Sequence, residues 1–197
     1  MAARPDDNDL IAGFFGRSLA ALQGAAKDAV FLRLIAEIAQ AIEGSLRDGG
    51  KLLIAGNGGS AADAQHLAAE FLSRFLVDRG PLPAIALTTD TSVLTAVGND
   101  YGFEHVFERQ VRGLGRPGDV FLAISTSGRS PNVLRALQTA RDLGLVTIGF
   151  SGAAETGMGA LCRHFLAVQS QETAVVQQIH MVAGHAICAL VERAMLP

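Results

Sequence analysis

Apolar residues first recur along the chain at helical spacing. Phe31, Leu34, Ile35, Ile38, Ile42 and Leu46 follow i, i+3, i+4 steps and form one stripe, as on an amphipathic helix. Gly49-Gly50 stops it. Ahead of it, Ile11 to Leu22 carries a weaker pattern of the same period. Residues 8–48 therefore read as two helices, able to pack on a sheet or on another subunit. The period then shortens. Leu52–Ala55, Ala84–Thr88, Val120–Ser125, Val146–Phe150 and Phe165–Val168 are β-rich, and four of the five are almost continuously apolar. Strands covered on both faces have that pattern. Helical segments separate them: Ser60–Val77, then Thr91–Val97 with Glu104–Leu114, Pro131–Leu143, a short Glu155–Cys162 stretch, and Thr173–Met195. The alternation predicts an α/β fold, a three-layer α/β/α sandwich on a five-stranded parallel sheet with right-handed crossovers. No repeat or linker divides it, so 1–197 reads as a single domain with 8–48 as an N-terminal helical extension.

Composition narrows the function classes. The chain has 197 residues, enough for a sizeable core, and its 49% hydrophobic and 18% charged content excludes a disordered protein. A net charge of −3 supplies no basic footprint for nucleic acid. No apolar run suggests a membrane span, and Met1 to Asp7 lacks a signal-peptide core. Cys162 and Cys188 form no motif and read as reduced thiols, which points to the cytoplasm.

The candidate chemistry lies where strands run into helices. The first strand ends in Gly56-Asn57-Gly58-Gly59-Ser60, and the turn opens into the helix that carries His66 and Glu70. Glycines admit a ligand close to the backbone, and the free amides of the helix's first turn suit an anion. His66 and Glu70, four residues apart, project from one helix face and can share a metal ion or a substrate. The same four-residue spacing also suits a plain surface pair. Gly56-x-Gly58-x-x-Ala61 also fits a loose dinucleotide fingerprint. That fold needs an acid about twenty residues on, and Asp90 stands about thirty residues beyond the glycines.

The third strand ends in Ser125-Thr126-Ser127-Gly128-Arg129-Ser130-Pro131. Ser130 before Pro131 is a helix start, with serine at the N-cap and proline at the first helical position. Four hydroxyls and several free amides at one helix N-terminus suit a phosphate, and Arg129 can add a cation.

These segments, with Gly98-Asn99-Asp100-Tyr101-Gly102-Phe103 and Gln177 through His185, resemble the sugar isomerase (SIS) domain, and within it the bacterial phosphoheptose isomerases. The resemblance covers the chain from about residue 8. It implies substrate contacts from Asn57, Gly58, Gly59, Glu70, Asn99, Asp100 and Gln177. It implies a phosphate site at Ser125, Thr126, Ser127 and Ser130. It implies one zinc per subunit on His66, Glu70, Gln177 and His185, with Glu70 as base and His185 as acid. It also implies a cytoplasmic homotetramer with sites built partly at subunit interfaces, and no nucleic-acid or membrane partner. One departure is visible: Gln178 stands where the family often has glutamate. By spacing alone, Gln177 and His185 lie about 12 Å apart along a helix, so they either converge with long side chains or serve sites on different subunits. Spacing alone favours His180 as the neighbour of Gln177.

The implied reaction is an aldose–ketose isomerisation of D-sedoheptulose 7-phosphate to D-glycero-D-manno-heptose 7-phosphate, the first step of ADP-heptose synthesis for the lipopolysaccharide core. A base must move a proton between neighbouring carbons while an acid or metal stabilises the oxyanion. Two other classes fit an SIS domain. One is a non-catalytic protein that binds a sugar phosphate or the replication initiator, which would be expected to lack a carboxylate at position 70. The other is a sugar-phosphate sensor joined to a DNA-binding domain, for which this chain has no room.

Overall fold

A computed structural model describes residues 6–152 and 157–196. Two helices open it, α1 (Asp7–Lys27) and α2 (Ala29–Arg47). Asp28 separates them. Its carboxylate accepts from the amides of Val30 and Phe31 at 2.9 and 3.1 Å, which caps α2 and turns the chain. The stripe read from the sequence is the face α2 buries: Ile35, Ile38, Ile42 and Leu46 all enter the core.

The alternation then follows as β1 (Leu52–Gly56), α3 (Gly59–Leu72), β2 (Ala84–Ala86), α4 (Thr91–Tyr101), a short 3-10 turn Phe103–His105, α5 (Val106–Leu114), β3 (Val120–Ser125), α6 (Pro131–Asp142), β4 (Val146–Ser151), β5 (His164–Ala167) and α7 (Thr173–Met195). All five strands pair in parallel, in the order β2-β1-β3-β4-β5. Strand residues alternate between two cores. Leu52, Ile54, Val120, Leu122 and Ile124 face α2, α3 and α7, whereas Leu53, Ala55, Phe121 and Ala123 face α5 and α6. That is the three-layer sandwich, and its sheet order reverses direction between β1 and β3. Ligands bind at such a switch point, beyond the strands' carboxyl ends.

Several boundaries differ from expectation; α4 runs on to Tyr101, α5 begins at Val106 and β5 is shifted by one residue to His164–Ala167. The first helix after β1 stops at Leu72 rather than Val77, because the amides of Phe75, Leu76 and Val77 are taken by the Glu192 carboxylate instead of helix carbonyls. β2 ends at Ala86, where Thr89 turns back onto the Ala86 carbonyl. The helix expected over Glu155–Cys162 begins outside the described residues, and its described part holds one 3-10 turn, Gly159–Leu161. α7 matches its expected bounds. It is also long and apolar enough to cross a membrane by length and composition, with a mean hydropathy of 1.5 over its best window, which corrects the expectation that no run reaches that length. Half of that window is buried here, with Val176, Ile179, Ala183, Ile187 and Val191 packed in the core.

Candidate functional site

The two loops read from the sequence meet at the switch point. At Gly56, a side chain would collide with the backbone of Ser60 and of Ile124, so only glycine lets β1, β3 and the start of α3 come this close. Gly58 caps α3 with φ 55°, a left-handed conformation. Asn57, between them, exchanges two hydrogen bonds with Asn132 at the start of α6. Asn57 Nδ2 donates to Asn132 Oδ1 at 2.9 Å, and Asn132 Nδ2 donates back to Asn57 Oδ1 at 2.8 Å. Asn132 is buried, and its Oδ1 also accepts from the Val133 amide. Nothing in the sequence pattern singles out Asn132; only the pairing of β1 beside β3 brings it to Asn57.

Ser130 is the N-cap residue of α6, but its hydroxyl caps nothing. It lies 3.1 Å from Ser125 Oγ. Gly128, at φ 61°, turns the loop, and the Ser127 hydroxyl accepts from the Arg129 amide at 3.3 Å. Thr126, Ser127 and Arg129 face Ser170, Gln171 and Thr173 across a cavity of about 230 Å³. The N-terminus of α7 therefore faces the hydroxyl loop across one polar cavity, whereas the N-terminus of α6 lines a second, and the hydroxyl loop acquires partners that its own sequence does not announce. A second cavity, about 400 Å³, lies beside Asn57 and Ser130 and is walled by Phe103, Glu104 and Arg135. Asn99 and Asp100 sit on the last turn of α4, exposed, with Asn99 Nδ2 donating to Asp100 at 2.8 Å. Asp90, the acid a dinucleotide site would need, is instead the N-cap of α4 and accepts from the Val93 amide.

The histidines form a separate cluster. His66 Nε2 lies 2.8 Å from His185 Nε2 and 3.4 Å from Glu70 Oε1, and one ligand atom from each of the three residues falls within 4.8 Å of the others. His66 and Glu70 follow one face of α3, and His185 comes from α7. The Phe75 ring stacks on His185, with centroids 5.3 Å apart and planes at 25°. One turn before His66, Asp63 keeps a buried Oδ2 with no hydrogen-bond partner among the described residues. Burial raises its carboxyl above the usual range, against the pull of His66.

Gln177 is elsewhere. Its amide lies over Gly59, where any Cβ would strike it. Gly59 and His66 are seven residues apart on α3, about 10 Å of helix. The four side chains expected to share one ion thus divide within a single chain: His66, Glu70 and His185 together, and Gln177 at the loop end of the same two helices. His180, the neighbour that spacing favoured, is a core residue. It is buried against Phe150, its Nε2 donates to the Ser151 carbonyl at 3.3 Å, and burial pushes its pKa down to about 4. His105 pairs with Glu108 at 2.7 Å, away from both clusters.

Known proteins resemble this chain along nearly its whole length. A family model for the SIS domain matches residues 16–152. The phosphoheptose isomerase of Bradyrhizobium sp. (strain ORS 278) is 57% identical over 189 residues, 96% of each chain. That of Aneurinibacillus thermoaerophilus is 49% identical over 187 residues, 95% of this chain and 94% of its own. Among solved structures, the phosphoheptose isomerase of Neisseria gonorrhoeae superposes with a TM-score of 0.88 at 41% identity, covering 94% of this chain and 98% of that one. The Francisella tularensis enzyme superposes with a TM-score of 0.90 at 37% identity, covering 95% and 98%.

Proposed function

This chain belongs to the SIS-domain family, and from that membership we propose the reaction its two clusters carry out. It is an aldose–ketose isomerase of the phosphoheptose isomerase type, interconverting D-sedoheptulose 7-phosphate and D-glycero-D-manno-heptose 7-phosphate, the first step of ADP-heptose synthesis for the lipopolysaccharide core. The observation that carries this reading is the convergence of His66, Glu70 and His185. A protein that only bound sugar phosphates would need the hydroxyl loop and would leave this trio without work.

Two imidazole nitrogens and a carboxylate oxygen are the donor set of a catalytic zinc site, three protein ligands with a position left open. Zinc held there, one per subunit, would supply Lewis-acid stabilisation of negative charge on a substrate oxygen. Glu70 takes a proton from C1 of the ketose, leaving an enediolate, and returns it to C2. His185 gives a proton to the C2 oxygen and takes back the proton that the C1 hydroxyl loses, so it ends as it began. The carbonyl thereby moves from C2 to C1 with atoms and electrons balanced. Ser125, Thr126, Ser127 and Ser130 hold the phosphate, Thr126 and Ser127 at the cavity before α7 and Ser130 at the N-cap of α6, and fix the distance to the reacting carbons. Asn57, Gly58, Gly59, Asn99 and Asp100 contact the hydroxyls between.

The geometry of one chain argues for sites shared between copies. An extended seven-carbon phosphate spans about 10 Å by ordinary bond lengths. Val176, at the phosphate cavity, precedes His185 by nine residues of α7, about 13 Å of helix rise. A homotetramer resolves this if the hydroxyl loop and Gln177 of one copy face the trio of another. α1 supports such an assembly, for it buries none of its residues and leaves Leu10, Ile11, Phe14, Phe15 and Leu19 exposed on one helix. Residues 1–197 then act as one SIS domain with 8–48 as its helical extension. Unpaired Cys162 and Cys188 are in keeping with a cytoplasmic enzyme. The test is direct. Purified protein incubated with sedoheptulose 7-phosphate should yield the aldose, and yield none after chelation; no product under either condition overturns the assignment.

A further inference from the structure

Glu192 is a buried carboxylate that the isomerisation does not use. It lies seven residues beyond His185 on α7, and so nearly on the same helix face. Its Oε1 accepts from the Phe75 amide at 2.8 Å, and its Oε2 from the Leu76 and Val77 amides at 2.7 and 3.0 Å. Arg79 Nε stands 3.3 Å from the same carboxylate, also buried. The other guanidinium nitrogens of Arg79 donate to the carbonyls of Glu70 and Phe71 at 2.9 and 2.8 Å, the last turn of α3. Burial works to raise the Glu192 carboxyl, but the three amides and Arg79 outweigh it and hold it below the ordinary range.

One ion pair therefore ties together both helices that carry the trio. α3 ends in carbonyls gripped by Arg79. α7 carries the carboxylate that grips Arg79. The loop between them is pinned at three successive amides, and its first pinned residue, Phe75, lays its ring on His185. We propose that Glu192 and Arg79 are positioning residues for the metal centre, acting through Phe75 to fix the His185 ring and through the last turn of α3 to fix His66 and Glu70. This rests on the metal-binding reading of the trio. The chemistry favours it over a plain loop anchor, since ligands are held at productive angles by just such contacts around them, and their loss typically costs a metal site 10–100-fold in affinity.

Zinc affinity, measured by competition with a chromophoric chelator on the full-length protein, tests it. Glu192→Gln should weaken zinc binding by about 10–100-fold. Phe75→Leu, which leaves the ion pair and the three amide bonds in place, should weaken it several-fold. Both should lower kcat at subsaturating zinc, recover with excess zinc, and leave the inhibition constant for inorganic phosphate and the oligomeric mass unchanged, because the phosphate cavity is at the other end of α7. Wild-type zinc affinity in a folded Glu192→Gln variant overturns the proposal, as does a loss of affinity that comes only with a change of mass. If Glu192→Gln does not fold, Phe75→Leu decides alone, and unchanged affinity there overturns it. A wild-type chain that binds no zinc at all sinks the metal reading itself.

Discussion

His66 Nε2 and His185 Nε2 stand 2.8 Å apart although 119 residues separate them in the chain. At that distance the two nitrogens cannot both carry a proton toward each other, and a carboxylate oxygen of Glu70 is 3.4 Å from the first. Such a cluster offers two imidazole nitrogens and a carboxylate oxygen to one cation. Zinc should therefore co-purify with the protein or restore activity after chelation, and its affinity should fall on acidification, since both rings must present bare lone pairs. Elemental analysis alongside turnover is the measurement. Full activity in a rigorously metal-free preparation would remove zinc from the reaction.

The Asn57–Asn132 pair joins the loops after β1 and β3 across the switch point with two hydrogen bonds, one side of it buried. Asn132→Ala strands the Asn57 amide. The loss should cost about 1–3 kcal/mol of stability, the desolvation of an unpaired polar group. KM for the sugar phosphate should rise while zinc affinity holds, since the trio lies about two helical turns away. Unchanged stability and KM would mean that water replaces the partner and that the loops hold their places without the pair.

His180 gives the fold an acid-sensitive component. Folded, its ring stays neutral down to about pH 4, because burial disfavours the charged form. Unfolded, it takes a proton near its ordinary 6.5. Between those values the unfolded chain binds more protons, so stability drops as pH falls from about 6.5 and the loss is complete near pH 4, amounting to roughly 3 kcal/mol. His180→Gln keeps a donor for the Ser151 carbonyl and removes the titration. Urea midpoints across this range should fall less steeply in the variant; parallel curves would assign the acid sensitivity to other groups.

Most of the sheet was legible because its strands carry their own punctuation. β3 runs from a turn to a serine-rich loop and matches residue for residue, as does α7. The apolar pattern carries α3 too far because Leu72, Phe75, Leu76 and Val77 look like one more helical turn, whereas Glu192, 115 to 117 residues away, claims the amides of Phe75, Leu76 and Val77. The site divides the same way. His66 and Glu70 share a face at local spacing, so one helix reveals them. His185 joins them through the packing of α7 on α3, which spacing does not encode, and spacing alone pointed to the buried His180. Asn132, Ser170, Gln171 and Thr173 were missed for the same reason: each reaches the site across the sheet's top edge from another strand's loop.

The hydroxyl loop should govern phosphate. Ser130 and Ser125 bond to each other at 3.1 Å rather than capping α6, so one hydroxyl proton is taken and the other remains to donate to an anion. Changing Ser127 and Ser130 to alanine should weaken binding by about 1.5–3 kcal/mol for each charge-assisted bond lost. Inhibition by inorganic phosphate should weaken in parallel, and an unchanged inhibition constant would move the phosphate to another part of the surface.

Glu70→Gln separates the base from the ligand. The substitution keeps the shape and one oxygen within reach of His66 but removes the carboxylate that accepts a proton. Turnover should fall by about 10² to 10⁴, the usual contribution of a positioned general base. Substrate should still bind, because the phosphate and hydroxyl contacts are on other residues. Exchange of the C1 hydrogen with solvent deuterium should disappear along with turnover, since both begin with the same abstraction. His66→Gln is the matched control. It leaves the base in place and weakens the metal site, so excess zinc should restore part of its turnover and should not restore that of Glu70→Gln. Near-normal turnover in Glu70→Gln with zinc still bound would show that another group moves the proton. Loss of zinc from that variant would make Glu70 a ligand first, and Asp63, whose burial already favours its protonated form one turn earlier on the same helix, becomes the next carboxylate to replace.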